Sequence, residues 1–293
     1  LSSSSAASDV YKRQEQKAFQ DFLVANHATP ATGYATADTP AALDQRIQNL
    51  QLKPQDTVLS QDTLPNGVAS GDVDQDSVVL WTRSTALGQA KFEISTTADF
   101  AQIAGSATAS VTNPNQPVKV EISGLVAGTN YFYRVIDAAG SMAKGRFETA
   151  AEAGLFTGLR FGVSGDWRGE LAPYPAIGNA AGKGLDFFVE LGDTIYGDVG
   201  SDAVLNPDGS RKSQVTTLDE FRAKHDEVYS VRYSVNTFED LRGSTAIYAT
   251  IDDHEVTNDF AGGAPAASDP RFATTQGLIN DTPLFENGLA AFQ

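Results

Sequence analysis

One short stretch sets the fold of this chain: residues 186–196, which read DFFVELGDTIY. Its first half is an apolar, strand-like run, and its second half is a Gly-Asp turn that carries a tyrosine. Two further apolar runs, residues 159–163 and 246–251, end in comparable acidic turns at residues 165–166 and 252–255. In an α/β sheet the carboxyl ends of the strands meet at one edge, where such folds bind ligands. The shared pattern therefore predicts an α/β domain with an acidic site at that edge.

The three turns carry the residue types of a metal site. Asp166, Asp193 and Asp253 come from different turns, and carboxylates brought together repel one another unless protons or a multivalent cation neutralise them. Tyr196 adds a phenol, which binds as phenolate near neutral pH only beside a strong Lewis acid such as ferric iron. This donor set favours a hard metal ion. Taken alone, each Gly-Asp is also typical of a helix cap, and Tyr196 of packing over the sheet end.

The turn at residues 252–255 is the most specific of the three, because it places three acids around one histidine. His254 either binds metal or acts beside it, on a leaving group or an oxyanion. The other two histidines are predicted to be solvated: His225 lies in a helical segment rich in Lys, Asp and Glu, and His27 in a polar segment.

The composition excludes several classes of function. The chain has 293 residues, no cysteine and a net charge of −16, so disulfides and thiolate zinc sites are absent. Such a charge argues against non-specific binding to nucleic acid or to anionic membranes. No apolar run approaches the roughly 20 residues of a membrane span. Phosphate chemistry in so acidic a chain needs local positive charge, which a bound metal supplies.

The chain divides into four predicted regions. Residues 1–14 resemble a translated cloning adaptor and are left out of fold reasoning; residues 15–63 are predicted to form a short helix at 15–26 and an extended lead-in. Residues 64–150 are predicted to form an all-β sandwich, and residues 158–293 an α/β domain. Within the sandwich, strands are predicted at residues 77–83, 90–95, 118–122, 131–136 and 145–149. Within the α/β domain, helices are predicted at residues 218–229 and 236–242, and a surface loop at residues 199–216.

The sandwich region contains a segment that resembles the leucine-turn-tyrosine segment of fibronectin type III domains. In residues 122–134, Leu125 would fill the sandwich core and Tyr131 would pack near a corner. Trp81 is then predicted to be a core aromatic residue, in preference to a ligand-stacking one.

The motifs taken together resemble those of calcineurin-like metallophosphoesterases, and within them the alkaline phosphatase D, or PhoD-like, family. The resemblance rests on Gly165-Asp166, on the Gly-Asp-x-x-Tyr of residues 192–196 and on the Asp-Asp-His-Glu of residues 252–255. A Gly-Val-Ala-Ser-Gly-Asp segment at residues 67–72 and a Leu-Trp-Thr-Arg strand at residues 80–83 extend it. It implies a partial α/β metallophosphoesterase core, preceded by an all-β fibronectin type III-like sandwich.

The resemblance also implies roles for the metal-site residues. Asp166 matches a ligand of the first metal, Asp193 a carboxylate that bridges two metals, and Tyr196 a ligand of ferric iron. Asp253 stands where most metallophosphoesterases have a ligand asparagine. The implied metals are Fe³⁺ and Ca²⁺, with Zn²⁺ or Mn²⁺ as alternatives. Gly165 replaces a cysteine that ligates iron in many family members, which leaves the identity of that metal open.

Two residues match the substrate side of the family's site. His254 matches the residue that stabilises the transition state or protonates the leaving group. Arg168 lies two residues after Asp166, where it either contacts the substrate phosphate or forms a surface salt bridge.

The activity implied by the resemblance is hydrolysis of phosphate monoesters, and also of diesters, in the periplasm or outside the cell, although no signal peptide is recognisable. The family completes its site with later Asp, Asn and His ligands, whereas no histidine follows His254 here. We therefore expect a fragment, inactive alone and with apolar sheet surface uncovered. The alternative is an extracellular binding or adhesion module with an inactive second domain. The oligomeric state is left open.

Overall fold

The structure is a computed structural model that describes residues 63–231, 236–259 and 262–293. The leader predicted at residues 1–14, the helix predicted at residues 15–26 and His27 lie outside the described residues. The ten strands of the described part are β1 Val68–Gly71, β2 Ser77–Thr82, β3 Gly88–Ser95, β4 Gly105–Val111, β5 Val118–Ser123, β6 Asn130–Ile136, β7 Met142–Glu148, β8 Phe161–Ser164, β9 Phe187–Glu190 and β10 Ala246–Ala249. Its α-helices are α1 Leu218–Tyr229, α2 Thr237–Ser244 and α3 Pro283–Phe292.

Most predicted elements are present at nearly the predicted positions, and β4 is the clearest omission. Its sequence, Gly-Ser-Ala-Thr-Ala-Ser-Val, alternates between half-buried and exposed positions but contains only one large apolar residue. Small side chains give little hydrophobic signal even when they alternate, so the sequence did not predict this strand. Its hydrogen-bonded pairing with β3 identifies it in the structure.

The strands form two sheets, one of which runs through both predicted domains. The four-stranded sheet has the order β4-β3-β6-β7, and the six-stranded sheet has the order β5-β2-β1-β10-β9-β8. The join is the parallel pairing of β1 with β10, in which Ser70 lies opposite Ala246. Strands β10, β9 and β8 are parallel neighbours, so their carboxyl ends share one edge. The sequence predicted two successive units and did not reveal this continuous sheet.

The first core lies between the two sheets. It contains fully buried Leu80, Phe92 and Tyr133, each of which contributes about 1.5–3 kcal/mol by leaving water. Leu125 is buried in the same core, as predicted, and the hydroxyl of Tyr131 accepts a hydrogen bond from the backbone N–H of Val126 at 3.0 Å. The leucine-turn-tyrosine segment therefore closes one end of this core.

The second core lies between the helices and one face of β8–β10. Trp167 stacks on Phe238 of α2 with ring centroids 4.1 Å apart, and Phe188 of β9 and Phe221 of α1 belong to the same cluster. The opposite face of these strands is open: Phe161, Val163 and Leu191 are each about half exposed.

Helix α1 begins and ends as predicted, but one of its residues is placed differently. Thr217 and Glu220 form a reciprocal capping box at its start. His225 was predicted to be solvated, and this prediction is wrong: it is 9% exposed, because it lies one turn after the buried Phe221. Burial, together with the positive charge of Arg242, lowers its pKa to about 3.

The prediction for Trp81 also needs correction. It is half-buried and lies outside the cluster of buried residues between the sheets. Its ring instead meets Tyr229 of α1 edge to face, at 6.1 Å between centroids, and the guanidinium carbon of Arg242 lies 4.5 Å from its centroid. Side chains alternate between the faces of a strand, and Val78 and Leu80 take the core face of β2.

Candidate metal centre

The three acidic turns follow directly after β8, β9 and β10 and lie at the shared carboxyl edge. Their backbone is locally strained: Asp166, Arg168 and Asp193 have φ values of 62°, 51° and 52°. Non-glycine residues rarely adopt positive φ, and those that do cluster at functional sites. The chain therefore turns sharply after β8 and β9, which keeps the side chains of these turns at the edge.

Gly192 allows two of these turns to approach each other. Its φ is 92°, and a Cβ atom there would lie only 2.3 Å from the backbone nitrogen of Asp252. No side chain fits in that space. The glycine that precedes Asp193 therefore serves both the turn after β9 and the turn after β10.

Glu255 ties the same two turns together through hydrogen bonds. Its carboxylate is fully buried and accepts backbone N–H groups from Asp252 at 2.8 Å, from Asp193 at 3.1 Å and from Thr194 at 2.7 Å. Burial raises the pKa of Glu255, although these N–H donors oppose the shift. The sequence analysis included Glu255 in the acidic cluster but gave it no role of its own. The structure shows that it positions the backbone of both turns.

The four predicted metal ligands converge at this edge. The hydroxyl of Tyr196 lies 2.8 Å from Oδ1 of Asp166 and 3.1 Å from Oδ2 of Asp193, to which it can donate. Asp193, Asp253 and His254 each offer a ligand atom within 4.8 Å of the others, so this group could hold a metal ion. The structure thus brings together residues from three separate turns of the chain.

The electrostatics of the site favour a bound cation. Burial and the charges of Glu255 and Asp253 raise the pKa of Asp193 to about 9, from an ordinary value of 3.8. Burial and the Asp193 and Asp166 charges likewise raise the pKa of the Tyr196 phenol. A multivalent cation among these oxygens would reverse the repulsion and hold the groups ionised. The residues present therefore fit a metal by the chemistry and spacing of their donors.

His254 is held rigidly beside these ligands. Its ring stacks on Tyr196 with centroids 4.0 Å apart, and its backbone N–H donates to Asp193 at 3.1 Å. Its Nδ1 atom lies 2.6 Å from Oδ1 of Asp198, and its Nε2 atom lies 3.8 Å from Oδ1 of Asp253. Although burial opposes the shift, the hydrogen bond and charge of His254 lower the pKa of Asp198.

Asp198 was not singled out from the sequence, although a signal was available. It follows Tyr196 by two residues, within the turn after β9. A functional histidine generally needs an acceptor for its second ring nitrogen, and an acidic residue in a neighbouring turn is the simplest candidate.

Two arginines supply positive charge at this edge. The guanidinium carbon of Arg168 lies 5.3 Å from the centroid of the Tyr196 ring, so this residue, singled out from the sequence, borders the site. Arg271, which the sequence analysis did not consider, has its Nη1 atom 3.7 Å from Oδ2 of Asp198 and also binds Asp269. Both arginines are placed by loops whose positions depend on the fold.

Comparison with known proteins assigns the chain to a family. The family model "PhoD-like phosphatase, N-terminal domain" matches residues 50–151, and the model "PhoD-like phosphatase" matches residues 163–291. The chain belongs to the PhoD-like phosphatase family. Its sequence is 28% identical over 220 residues to alkaline phosphatase D of Bacillus subtilis (strain 168); the match covers 68% of this chain and 36% of that protein. This chain therefore spans well under half of that relative's length.

A solved structure of PhoD has a similar fold. The TM-score is 0.65 at 23% sequence identity, and the match covers 80% of this chain and 47% of that one. Among the residues that the structure describes here, no helix is both long and apolar enough to cross a membrane.

Proposed function

We propose that this chain contributes the metal centre of a phosphoesterase that hydrolyses phosphate monoesters and diesters. The observation that carries the proposal is the convergence of Asp166, Asp193, Tyr196 and Asp253 at one sheet edge, with His254 packed against them. Membership of the PhoD-like phosphatase family supports it independently.

In the same proposal, residues 158–293 belong to an α/β metallophosphoesterase core, and residues 64–150 form a fibronectin type III-like sandwich. The parallel order of β10, β9 and β8 supports the first assignment. The hydrogen bond between Tyr131 and the backbone of Val126 supports the second. A periplasmic or extracellular location is also part of the proposal and rests on the family resemblance alone.

The proposed ligands are Asp166, Asp193, Tyr196 and Asp253, with Asp193 as the carboxylate shared between two ions. Fe³⁺ and Ca²⁺ are the proposed metals, because a phenol buried among carboxylates needs a strong Lewis acid, while the remaining oxygen donors suit a hard cation. Zn²⁺ and Mn²⁺ are the alternatives. When bound, the metals would activate water and neutralise the charge of the phosphoryl oxygens.

The residues around the ligands would bind the substrate and move one proton. In this proposal Arg168, which lies beside the Tyr196 ring, would donate hydrogen bonds to the phosphate oxygens. Hydrolysis breaks the bond between phosphorus and the leaving oxygen, which needs a proton. Asp198 fixes Nδ1 of His254, which leaves Nε2 as the atom that gives this proton. The stacked Tyr196 ring holds the imidazole in that orientation.

The test compares this 293-residue chain with the protein extended to the length of its relatives. Metal content is measured by mass spectrometry, and hydrolysis is measured with a chromogenic phosphate ester after addition of iron and calcium. We expect hydrolysis by the longer protein and little or none by this chain alone, because more ligands are needed to complete a bimetallic site. A longer protein that binds polysaccharide but hydrolyses no ester would favour the alternative binding module.

A further inference from the structure

A second pocket lies at the opposite end of the strands from the candidate metal centre. Helix α1 faces it with Arg222, His225, Asp226 and Tyr229, and α2 contributes Arg242. The side formed by β2 and its neighbours contributes Asn66, Trp81 and Arg83. The proposed metal ligands do not line this pocket, and no activity has been assigned to it.

The pocket lies at the amino ends of the parallel strands. Asn66 precedes β1, and Arg242 lies four residues before β10. Because β2 runs antiparallel to β1 with Thr82 opposite Val68, Arg83 lies at this end as well. The metal ligands follow the carboxyl ends of β8, β9 and β10 instead. The two sites are therefore at opposite ends of the strands.

The lining of the pocket is positively charged in a chain of net charge −16. Arg83, Arg222 and Arg242 face it, together with the carboxylate of Asp226 and the last residue, Gln293, whose backbone oxygen accepts a hydrogen bond from Lys119. Asp226 is engaged by Arg83, which also donates to Asn66 and, at 2.9 Å, to the carbonyl oxygen of Pro114. Arg83 is therefore fixed in place by its partners, and among the described residues Asp226 forms its ion pair with Arg83, not with Arg222 or Arg242.

Two aromatic rings hold the guanidinium group of Arg242, and its N–H donors are available to a ligand. It is 5% exposed, and its guanidinium carbon lies 3.8 Å from the centroid of the Tyr229 ring and 4.5 Å from that of Trp81. Aromatic contacts of this kind use the face of the guanidinium group, whereas its N–H donors lie in the plane and remain free for an oxyanion. Its Nη1 atom is buried and has no hydrogen-bond partner.

Two buried residues, Glu190 and His225, lie near Arg242. Burial raises the pKa of Glu190 to about 7, against the opposing effects of the hydrogen bond that it accepts from Thr194 at 2.6 Å and of the positive charge of Arg242. The Nε2 atom of His225 is also buried without a partner, and this ring lines the pocket. Buried polar atoms in folded proteins are rarely left unpaired, and such exceptions often mark a bound ion or water.

We infer that this pocket binds a small tetrahedral oxyanion of the phosphate class, held by Arg242 and Arg222. The ligand is either free inorganic phosphate or the phosphate group of a small monoester. At the rim, Arg222 has only a 3.4 Å contact with the exposed Asp219, so its donors can turn toward an anion. This inference does not rest on the proposed function, because it uses none of the residues of the metal centre.

The experiment titrates the metal-free 293-residue chain, kept in EDTA, with inorganic phosphate while tryptophan fluorescence is recorded. Trp81 contacts Arg242, whereas the other tryptophan, Trp167, lies in the second core, so Trp81→Phe should remove the signal. Sodium chloride at matched ionic strength controls for non-specific charge effects. We expect a saturable change with phosphate and none with chloride. Glycerol phosphate replaces inorganic phosphate in a second arm and distinguishes the two sources of the ligand.

Charge variants then locate the binding site. Arg222→Gln should weaken phosphate binding about tenfold or more, the loss expected for a charged hydrogen bond. Arg211→Gln removes the same charge from an exposed arginine outside the pocket and should leave binding unchanged. Arg242→Lys should also weaken binding; if that variant does not fold, Arg222→Gln decides alone. Equal binding by Arg222→Gln and Arg211→Gln, or no saturable change with phosphate, overturns the inference.

Discussion

The two ends of the parallel strands bury groups of opposite charge: carboxylates at the carboxyl end and an arginine at the amino end. At the carboxyl end, Asp193 and Asp253 approach one another, and the pKa of Asp193 rises to about 9 because of burial and neighbouring negative charge. At the amino end, Arg242 is buried against the rings of Tyr229 and Trp81. The faces of aromatic rings attract a cation, whereas carboxylates packed together repel one another. The first arrangement suits a cation and the second an anion.

The comparison shows that the net charge of a chain does not predict the local charge of an individual site. The chain as a whole carries −16, yet three arginines line the pocket at the amino end. Local potential depends on which side chains the fold buries together, because buried charges are screened far less than exposed ones. Four experiments test how far the two ends differ.

The largest effect is expected from Asp193→Asn in the protein extended to the length of its relatives. A neutral amide cannot supply the charge that a shared metal ligand provides, so hydrolysis should fall on the order of 1,000-fold, with loss of bound metal. Chromogenic ester hydrolysis and mass spectrometry of the metals measure both. Asp202→Asn, which changes an exposed carboxylate paired with Arg211, is the control. Normal activity in Asp193→Asn would reduce Asp193 to a structural residue of the turn.

Gly192→Ala tests the backbone of the carboxyl end. The new Cβ would clash with the backbone of Asp252 at a φ of 92°, so the free energy of unfolding should fall by about 3 kcal/mol. Gly209→Ala is a matched control, since Gly209 has a φ of 83° but nothing within 4 Å of the new Cβ. Its cost should be only about 1 kcal/mol, the strain of a left-handed residue. Urea denaturation of both variants measures the difference, and equal losses would show that the close approach of the turns is unimportant.

Glu255→Gln should also lower the metal affinity of the site at the carboxyl end, by a smaller amount. The amide keeps one acceptor but turns an N–H₂ group toward backbone donors of Asp193, Thr194 or Asp252. Loss of such a positioning group typically costs about 10- to 100-fold in metal affinity. Metal titration measures it, and Glu121→Gln, on the exposed side of β5, serves as the control. Unchanged affinity would mean that the turns hold their shape without this carboxylate.

The smallest expected effect is a pH-dependent change in the stability of the protein, and it comes from His225 at the amino end. Its pKa is lowered from 6.5 to about 3 by burial and by Arg242, so between these values the unfolded chain binds the extra proton and the folded chain does not. The stability of the protein is therefore lost as pH falls from 6.5 toward 3, by about 1 kcal/mol at pH 5.5 from this group. His225→Phe should remove that part of the pH dependence.

The measurement is the difference in unfolding free energy between the protein and His225→Phe at pH 5.5 and at pH 8. Contributions of opposite sign, such as those of Glu190 and Asp240 with pKa values raised to about 7 mainly by burial, cancel in that difference. Parallel pH curves for the two proteins would show that His225 is not buried in solution.

The sequence predicted the elements that carry strong local signals. Helix α1 was predicted at its observed bounds because its apolar residues follow a helical period, and the structure adds a capping box at its start. The turns at Asp166, Asp193 and Asp253 were found because each follows an apolar run. Strand β4 was missed because small side chains carry no clear period, and His225 and Trp81 were misplaced because their burial depends on helices and strands distant in the chain.

The sequence by itself determined which residues end strands and therefore which carboxylates reach the acidic edge, since local periodicity and turn chemistry depend on neighbours along the chain. Only the tertiary structure decided that β1 pairs with β10, that Asp198 holds His254, that Glu255 joins two turns and that Arg242 faces two aromatic rings. Each of these contacts joins residues well separated in sequence. The free energy that selects such contacts comes from burial and from the pairing of polar groups across the whole fold, which no local pattern encodes.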